Sequence, residues 1–364
     1  MKVEKVSFEN GDIYQVVDSE NNEIRPVTKF LTFLMVKNYS PNTIKNYAFD
    51  LKRYFQYLDQ TDKKYDKITP TELVEFLGYL RGIQLNSINL CSTNLLSVST
   101  IKRTLAAISS FYNWLELTSC TAGNGNPHIT VIDNKTYPTN VSYKSFLSFA
   151  LKRDQVKHKF IKIKQQKRLP LPINKDDFEL LLQSLNTWRD KSILFLGLQG
   201  GMRIGEMLGL CFEDVNFRKK EISIRFRDNN PNDSRVKGMK ERLIFIEEPE
   251  AMSCLNSYIL YERPVSNSSY IFLSAKGKSH GNVLTYQGIY TVFKHHCTKL
   301  GIRKFTLHSL RHTHATNMYE HGMSLFSLQK RLGHASPQTT QIYAQVSNET
   351  LKNEYLASIN NMRG

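Results

Sequence analysis

The densest run of side chains able to do acid–base or anion chemistry is Thr306-Leu307-His308-Ser309-Leu310-Arg311-His312-Thr313-His314. His308 and Arg311 are three apart, so a helix puts them on one face. An imidazole gives or takes a proton near neutral pH, and a guanidinium is a permanently charged fork for phosphate or carboxylate. By itself such a pair is common on surface helices. A second group follows in Leu332-Gly333-His334-Ala335-Ser336-Pro337 and Gln341-Ile342-Tyr343. Tyr343 lies nine residues after His334. On one continuous helix, at ~100° per residue, the two would point to opposite faces. Gly333 instead ends one helix and Ser336-Pro337 opens the next, which leaves His334 in a tight corner and Tyr343 on the helix beyond it. Two weaker pieces lie upstream: Arg203, just after Gly200-Gly201 and followed by Glu206, and Lys237 in the basic hairpin turn 235–242.

The elements that must position these groups are read from pattern and composition. The chain has 364 residues, long enough for two or three domains. Its 49 Lys and Arg against 33 Asp and Glu give a net charge of +16, which points to a polyanionic partner. No apolar run approaches the ~20 residues of a membrane helix, and residues 1–10 carry charges throughout, without the core of a signal peptide. The five cysteines are scattered and form no CxxC pair, which suits the reducing cytoplasm and argues against disulfides or a zinc knuckle. A phosphate loop of the GxxxxGK[ST] type is missing from the sequence, so nucleotide hydrolysis is not expected to drive the chemistry.

Residues 1–26 alternate around Asn10-Gly11 and predict a β-hairpin extension. Ser40-Pro41 opens a helix whose apolar residues Ile44, Ala48, Leu51, Phe55 and Leu58 share a stripe, with Lys45, Lys52 and Arg53 off it. Thr69-Pro70 opens a second helix through Leu80, and a third carries Ile101, Leu105, Ile108, Tyr112 and Leu115, flanked by Lys102 and Arg103. Residues 27–118 therefore read as a helical bundle with basic faces. The stretch 119–173 reads as a long, weakly periodic linker. Its basic run, including Lys157, Lys159, Lys162 and Lys164, is either a solvated tether or a strap across phosphates. From Asn174, a helix N-cap, a second domain continues with a helix about 193–198, another over 202–210, a strand over 221–227 and a hairpin pairing 235–237 with 242–246.

In this order the chemical pieces resemble the catalytic domain of the tyrosine recombinases, the phage-integrase family. The likeness rests on the Gly201-x-Arg203 box with Glu206, the Lys237-Gly-x-Lys240-x-Arg242 hairpin, the His308-x-x-Arg311 helix, the Leu332-Gly333-His334 turn and Tyr343. It spans 174–350, about half the chain. The bundle 27–118, with its Ser40-Pro41-Asn42-Thr43-Ile44 opening, resembles that family's core-binding, SAM-like domain. The resemblance implies a mainly α fold with a small antiparallel β-sheet and two domains.

It implies a site-specific recombinase that cuts and rejoins double-stranded DNA through a 3′-phosphotyrosyl intermediate. Tyr343 is the nucleophile, Arg203 and Arg311 hold the phosphate, and Lys237 protonates the leaving 5′-oxygen. His308 acts as acid or base, and His334 hydrogen-bonds the phosphate. Lys240 is a second candidate for the acid. Phosphate contacts are expected from Lys45, Lys52, Arg53, Lys102, Arg103, Lys157, Lys159, Lys162, Lys164 and Lys240.

No cofactor or metal is expected, because two guanidiniums can neutralise the phosphate. A zinc site from His308, His312 and His334 is conceivable but has no acidic or thiolate ligand to complete it. The resemblance also implies a nucleoid-associated homotetramer on DNA, with no membrane partner. The terminal helix 351–364, striped by Leu351, Tyr355, Leu356, Ile359 and Met362, is docked on its own domain or exchanged between protomers. The extra length of 1–26 and 119–173 favours the transposase members over a minimal chromosome-dimer resolvase. A type IB topoisomerase shares the Arg, Lys, Arg, His, Tyr chemistry, and a non-catalytic architectural DNA-binding protein would share only the fold.

Overall fold

A computed structural model describes residues 1–8, 11–83, 96–118, 125–133, 155–163, 172–227, 230–232, 241–303, 305–334, 336–344, 355–356 and 359. The chain divides into two compact units, Met1–Gln166 and Lys167–Gly364. No helix among the described residues is long and apolar enough to cross a membrane.

The first unit begins with the expected hairpin, β1 (Lys2–Phe8) and β2 (Gly11–Val17), antiparallel with Val3 opposite Val16 and Val6 opposite Ile13. Its helices are α1 (Arg25–Val36), α2 (Pro41–Gln60), α3 (Pro70–Leu80) and α4 (Val98–Thr118). The start signals act as read. Ser40 caps α2 by accepting the Thr43 N–H, and Thr69 with Glu72 forms a capping box on α3. Val16 of the hairpin is buried in the same core as Phe30, Leu51, Phe76, Ile108 and Phe111. The hairpin thus shares the bundle's hydrophobic interior.

The stretch read as a linker is not all tether. Strands β3 (Ile129–Asp133) and β4 (Gln155–Lys159) pair antiparallel, with Val131 opposite Lys157, and Ile161 and Ile163 pack on the bundle core. The β-branched run Ile129-Thr130-Val131-Ile132 carries the strand signal, and the basic composition of the region hides it. Asn126 ties this segment to α4, its amide donating to the Ser109 carbonyl at 2.9 Å and to Asn113 Oδ1 at 2.7 Å.

Within the bundle, a fully buried carboxylate joins α2 to α4. Asp50 accepts from Arg103 Nε at 2.7 Å, from Thr104 Oγ1 at 2.9 Å and from Arg53 Nη1 at 3.3 Å. Arg53 and Arg103, two of the cations expected on phosphate, are therefore engaged with Asp50. Lys45 is exposed, and Lys52 and Lys102 are half-buried.

The second unit is built around α6 (Trp188–Leu198), whose Ile193, Leu194 and Leu196 are buried. Before it comes α5 (Lys175–Ser184), capped by Asn174 as expected. After it come α7 (Ile204–Leu208), a three-stranded antiparallel sheet of β5 (Val215–Asn216), β6 (Glu221–Ile224) and β7 (Arg242–Phe245), and α8 (Pro249–Ser257). The chain continues through α9 (Tyr286–Leu300), α10 (Leu307–Glu320), α11 (Leu325–Leu332) and α12 (Pro337–Ala344).

The helix expected over 202–210 is shorter because Arg203 takes the N-cap position in extended backbone. The strand expected over 221–227 stops at Ile224, and Arg227 turns to pair with Asp214. Strand β7 pairs with β6, placing Ile222 opposite Ile244, while its expected partner 235–237 lies outside the described residues. Of the expected terminal helix, Tyr355, Leu356 and Ile359 are helical, and the rest lies outside the described residues.

Replacing Asp50 by Ala takes one of two acceptors from the Thr104 hydroxyl, which keeps the Thr100 carbonyl at 3.1 Å, and removes the carboxylate from two half-exposed guanidiniums. The expected loss is about 2 kcal/mol of stability in the first unit, discounted for the solvent around both arginines. It should be read as a lower urea midpoint at unchanged slope. A midpoint equal to that of the parent protein would show that Asp50 does not hold the bundle.

Candidate active site

The site forms where α10 passes α6, α7 and the corner between α11 and α12. Gly201 makes the first approach possible. Its φ is +60°, and a Cβ there would meet His314 Cδ2 at 2.5 Å, so only glycine suits the position. Gly333 makes the second. It ends α11 in the left-handed region at φ +63°, and a Cβ would meet Arg242 Nη1 at 2.9 Å.

Glu206 is the hub. Its side chain is fully buried and takes the Arg203 backbone N–H at 2.8 Å and Arg203 Nη1 at 2.7 Å. The same carboxylate receives a bidentate fork from Arg242 at 2.9 and 2.7 Å. Arg311 Nη1 stands 3.9 Å from it. Burial alone would raise the Glu206 carboxyl, but the Arg242 hydrogen bonds and the charges of Arg242 and Arg203 outweigh that and hold it at about 2. It is an anion at any physiological pH.

The two arginines of the sequence pattern also grip the corner. Arg203 Nη2 donates to the Gly333 carbonyl at 3.1 Å, and Arg311 donates to the carbonyls of Leu332 and, at 2.8 Å, Gly201. Burial and the like charge of Arg203 lower the Arg311 guanidinium to about 9. An anion placed beside this pair would relieve both penalties.

His334 in the corner bonds Thr340 Oγ1 through Nδ1 at 2.8 Å, and burial with the Arg311 and Arg203 charges lowers it to about 3. Tyr343 on α12 is 3% exposed, and its hydroxyl meets His312 Nδ1 at 2.7 Å. His308 stands edge-on to His312, with ring centroids 4.6 Å apart.

Arg203, His308, Arg311, His334 and Tyr343 are thus gathered at one place, while Lys237 and Lys240 lie outside the described residues. Of the basic run, Lys157 and Lys159 sit in β4, Lys162 is exposed beyond it, and Lys164 is outside the described residues. Among the described residues there is no group of three or more His, Cys, Asp or Glu side chains that could hold a metal ion.

Three contributions exceed the sequence reading. Arg242 was legible only as part of a hairpin, yet it forks onto Glu206. His312 enters the sequence reading only as a conceivable zinc ligand, yet its Nδ1 meets the Tyr343 hydroxyl. Arg331 carried no signal; it donates to His314 Nε2 at 2.9 Å and to the Phe245 carbonyl at 2.9 Å, joining α11 to α10 and β7. Since the Arg331 guanidinium can only donate, His314 Nε2 accepts, and its Nδ1–H donates to the Leu198 carbonyl at 2.8 Å.

Glu206→Gln leaves three neighbouring guanidiniums without their counter-charge. It should cost the second unit about 3 kcal/mol, read as a lower urea midpoint. Stability within about 0.5 kcal/mol of the parent protein would refute the hub. Acid acts through other groups. Burial comes first among the causes that lower His312 to about 4, His314 to about 4 and His334 to about 3, against an ordinary 6.5. When the folded value lies below the unfolded one, the unfolded chain binds the proton first. Stability is therefore full above pH 6.5 and falls as pH drops from 6.5 towards 4. An unfolding midpoint unchanged between pH 7 and about 5 would contradict this.

Comparison with known proteins agrees with the geometry. Residues 172–350 match the sequence profile described as "Phage integrase family", and residues 27–118 match "Phage integrase, N-terminal SAM-like domain". Transposase A from transposon Tn554 of Staphylococcus aureus is 32% identical over 361 residues, covering 98% of this chain and 97% of that one. Tyrosine recombinase XerD of Listeria innocua is 29% identical over 343 residues, covering 90% and 96%. The fold is that of the Tn1549 transposon integrase in complex with transposon right-end DNA (TM-score 0.60, 17% identity, 92% of this chain and 99% of that one). It is also that of the XerH recombinase bound to its difH substrate (TM-score 0.57, 21% identity, 86% and 78%). With a relative matched from end to end and both profiles falling in the order in which the two units occur, the chain belongs to the phage integrase family, the tyrosine recombinases.

Proposed function

We propose that this recombinase cuts and rejoins duplex DNA to move a mobile genetic element, with Tyr343 as nucleophile. The observation that carries the reading is the corner at 332–334. Arg203 and Arg311 hold two successive carbonyls of it, and the helix leaving it delivers Tyr343 to the helix that bears Arg311. One short segment thus couples the phosphate clamp to the attacking hydroxyl.

Attack by Tyr343 on a backbone phosphate conserves the bond's free energy in a phosphotyrosine, so rejoining needs no nucleotide. Charge on the non-bridging oxygens of the transition state is met by the Arg203 and Arg311 forks, oriented in advance by Glu206 and by the corner. His334, neutral and held by Thr340, supports a phosphate oxygen. His308 serves proton transfer, and Lys237, or Lys240, protonates the leaving 5′-oxygen.

Several features support the DNA substrate: the +16 net charge, the lysines on α2 and α4, and the DNA-bound state of the Tn1549 and XerH structures. The end-to-end match to a transposon's transposase favours element movement over chromosome-dimer resolution. Exchange between two sites requires four active sites, which a homotetramer on DNA would supply.

The test is a plasmid carrying two copies of the DNA segments that flank the coding sequence. The parent protein should exchange strands between the copies. Tyr343→Phe should form no covalent protein–DNA adduct yet bind the duplex as before, because only a hydroxyl is lost. An adduct formed by Tyr343→Phe would sink the nucleophile assignment, and relaxation of supercoils without exchange would indicate a topoisomerase instead.

A further inference from the structure

The hydroxyl that attacks needs somewhere to put its proton, and the geometry offers a specific atom. His312 Nδ1 lies 2.7 Å from Tyr343 Oη, with the two rings tilted by 47° and their centroids 5.8 Å apart. Tyr343 is buried, and burial raises its phenol above the ordinary value although Arg311 and Arg203 pull the other way. A phenolate therefore does not form unaided near neutral pH. Among the described residues, the groups facing His312 are His308 and Arg311 on its own helix, Tyr343 from α12, and His334 from the corner. Burial and the charges of that surrounding keep the imidazole neutral, so Nδ1 has a lone pair with which to accept. A phosphate seated between the arginines adds negative charge nearby and raises the basicity of the ring at the moment it is needed.

We propose that His312 is the general base for the Tyr343 nucleophile, an inference that rests on the recombinase reading above. In the forward step the Oη–H proton passes to His312 Nδ1, and the Oη electron pair forms the bond to phosphorus. The bond from phosphorus to the 5′-oxygen breaks with its electrons on that oxygen, which takes a proton from a separate donor, Lys237 in the reading above. Rejoining reverses each transfer. The 5′-hydroxyl attacks the phosphotyrosine, and the protonated His312 returns its proton to the departing Oη. This assignment separates two imidazoles one helical turn apart. His312 serves the tyrosine, and His308 packs edge-on against it, with ring centroids 4.6 Å apart.

The experiment measures covalent adduct formation on the duplex that the parent protein cuts. His312→Asn keeps a polar group near the Nδ1 position but cannot take a proton. It should slow adduct formation by about a hundredfold or more at neutral pH, with duplex binding unchanged. The deficit should shrink by about tenfold per pH unit in alkali, where phenolate forms without a base. An Asn variant within about threefold of the parent overturns the proposal, as does a deficit that is the same at every pH, which marks a packing role. A second measurement needs no variant. With the ring held at about 4, the parent's adduct rate should stay level from about pH 8 down to about 6 and fall as pH drops towards 4, where His312 takes a proton, and a rate that does not fall there overturns the assignment. The underlying reading fails separately. It fails if Tyr343→Phe still forms an adduct, whereas an inert Tyr343→Phe beside an unimpaired His312→Asn removes the base alone.

Discussion

Everything at the centre of the second unit depends on one buried carboxylate. Glu206 accepts from Arg203 and Arg242 and lies near Arg311, so three guanidiniums converge on a single negative charge. Two of them could not stay close without it. Arg311 is 1% exposed and already loses stability from burial and from the charge of Arg203. Among the described residues the arrangement leaves a surplus of positive charge around Glu206. A phosphodiester is the natural complement, since it brings the missing charge and accepts planar forks in pairs. The same carboxylate that stabilises the unit fixes the Arg203 and Arg242 guanidiniums in place, and in the function proposed above that would orient the phosphate clamp in advance.

Neutral histidines complete the logic. In a pocket so positive, a charged imidazole would add repulsion, and burial opposes it further. His312, His314 and His334 are all held below their ordinary value. Their roles differ by contact. His314 is structural, fixed between the Leu198 carbonyl and Arg331. His334 is aligned by Thr340, and His312 meets the tyrosine. A similar device recurs in the first unit, where the buried Asp50 takes Arg53, Arg103 and Thr104 and joins two helices. There the cations are half-exposed and the pairing serves the bundle. In both units a buried acid on one helix decides which arginines are committed to the protein.

The linear sequence determined the helices, because their signals are local. Ser40-Pro41, Thr69 with Glu72, and Asn174 each cap a helix through contacts no more than three residues away. It determined the corner too, since Gly333 and Pro337 stop and start helices by their own backbone restrictions. It also presented Arg203, His308, Arg311, His334 and Tyr343 as an ordered set, legible through resemblance to a family. Tertiary structure alone decided what each side chain touches. Arg242 reaches Glu206 across 36 residues, Arg203 reaches Gly333 across 130, and Tyr343 meets His312 across 31. No periodicity encodes such pairs, because they follow from how α6, α7, α10 and the corner pack. For the same reason the pairing of Arg53 and Arg103 with Asp50 and the pairing of β3 with β4 are not legible in the chain. Charge and spacing are properties of the chain, whereas burial and partnership are properties of the folded molecule.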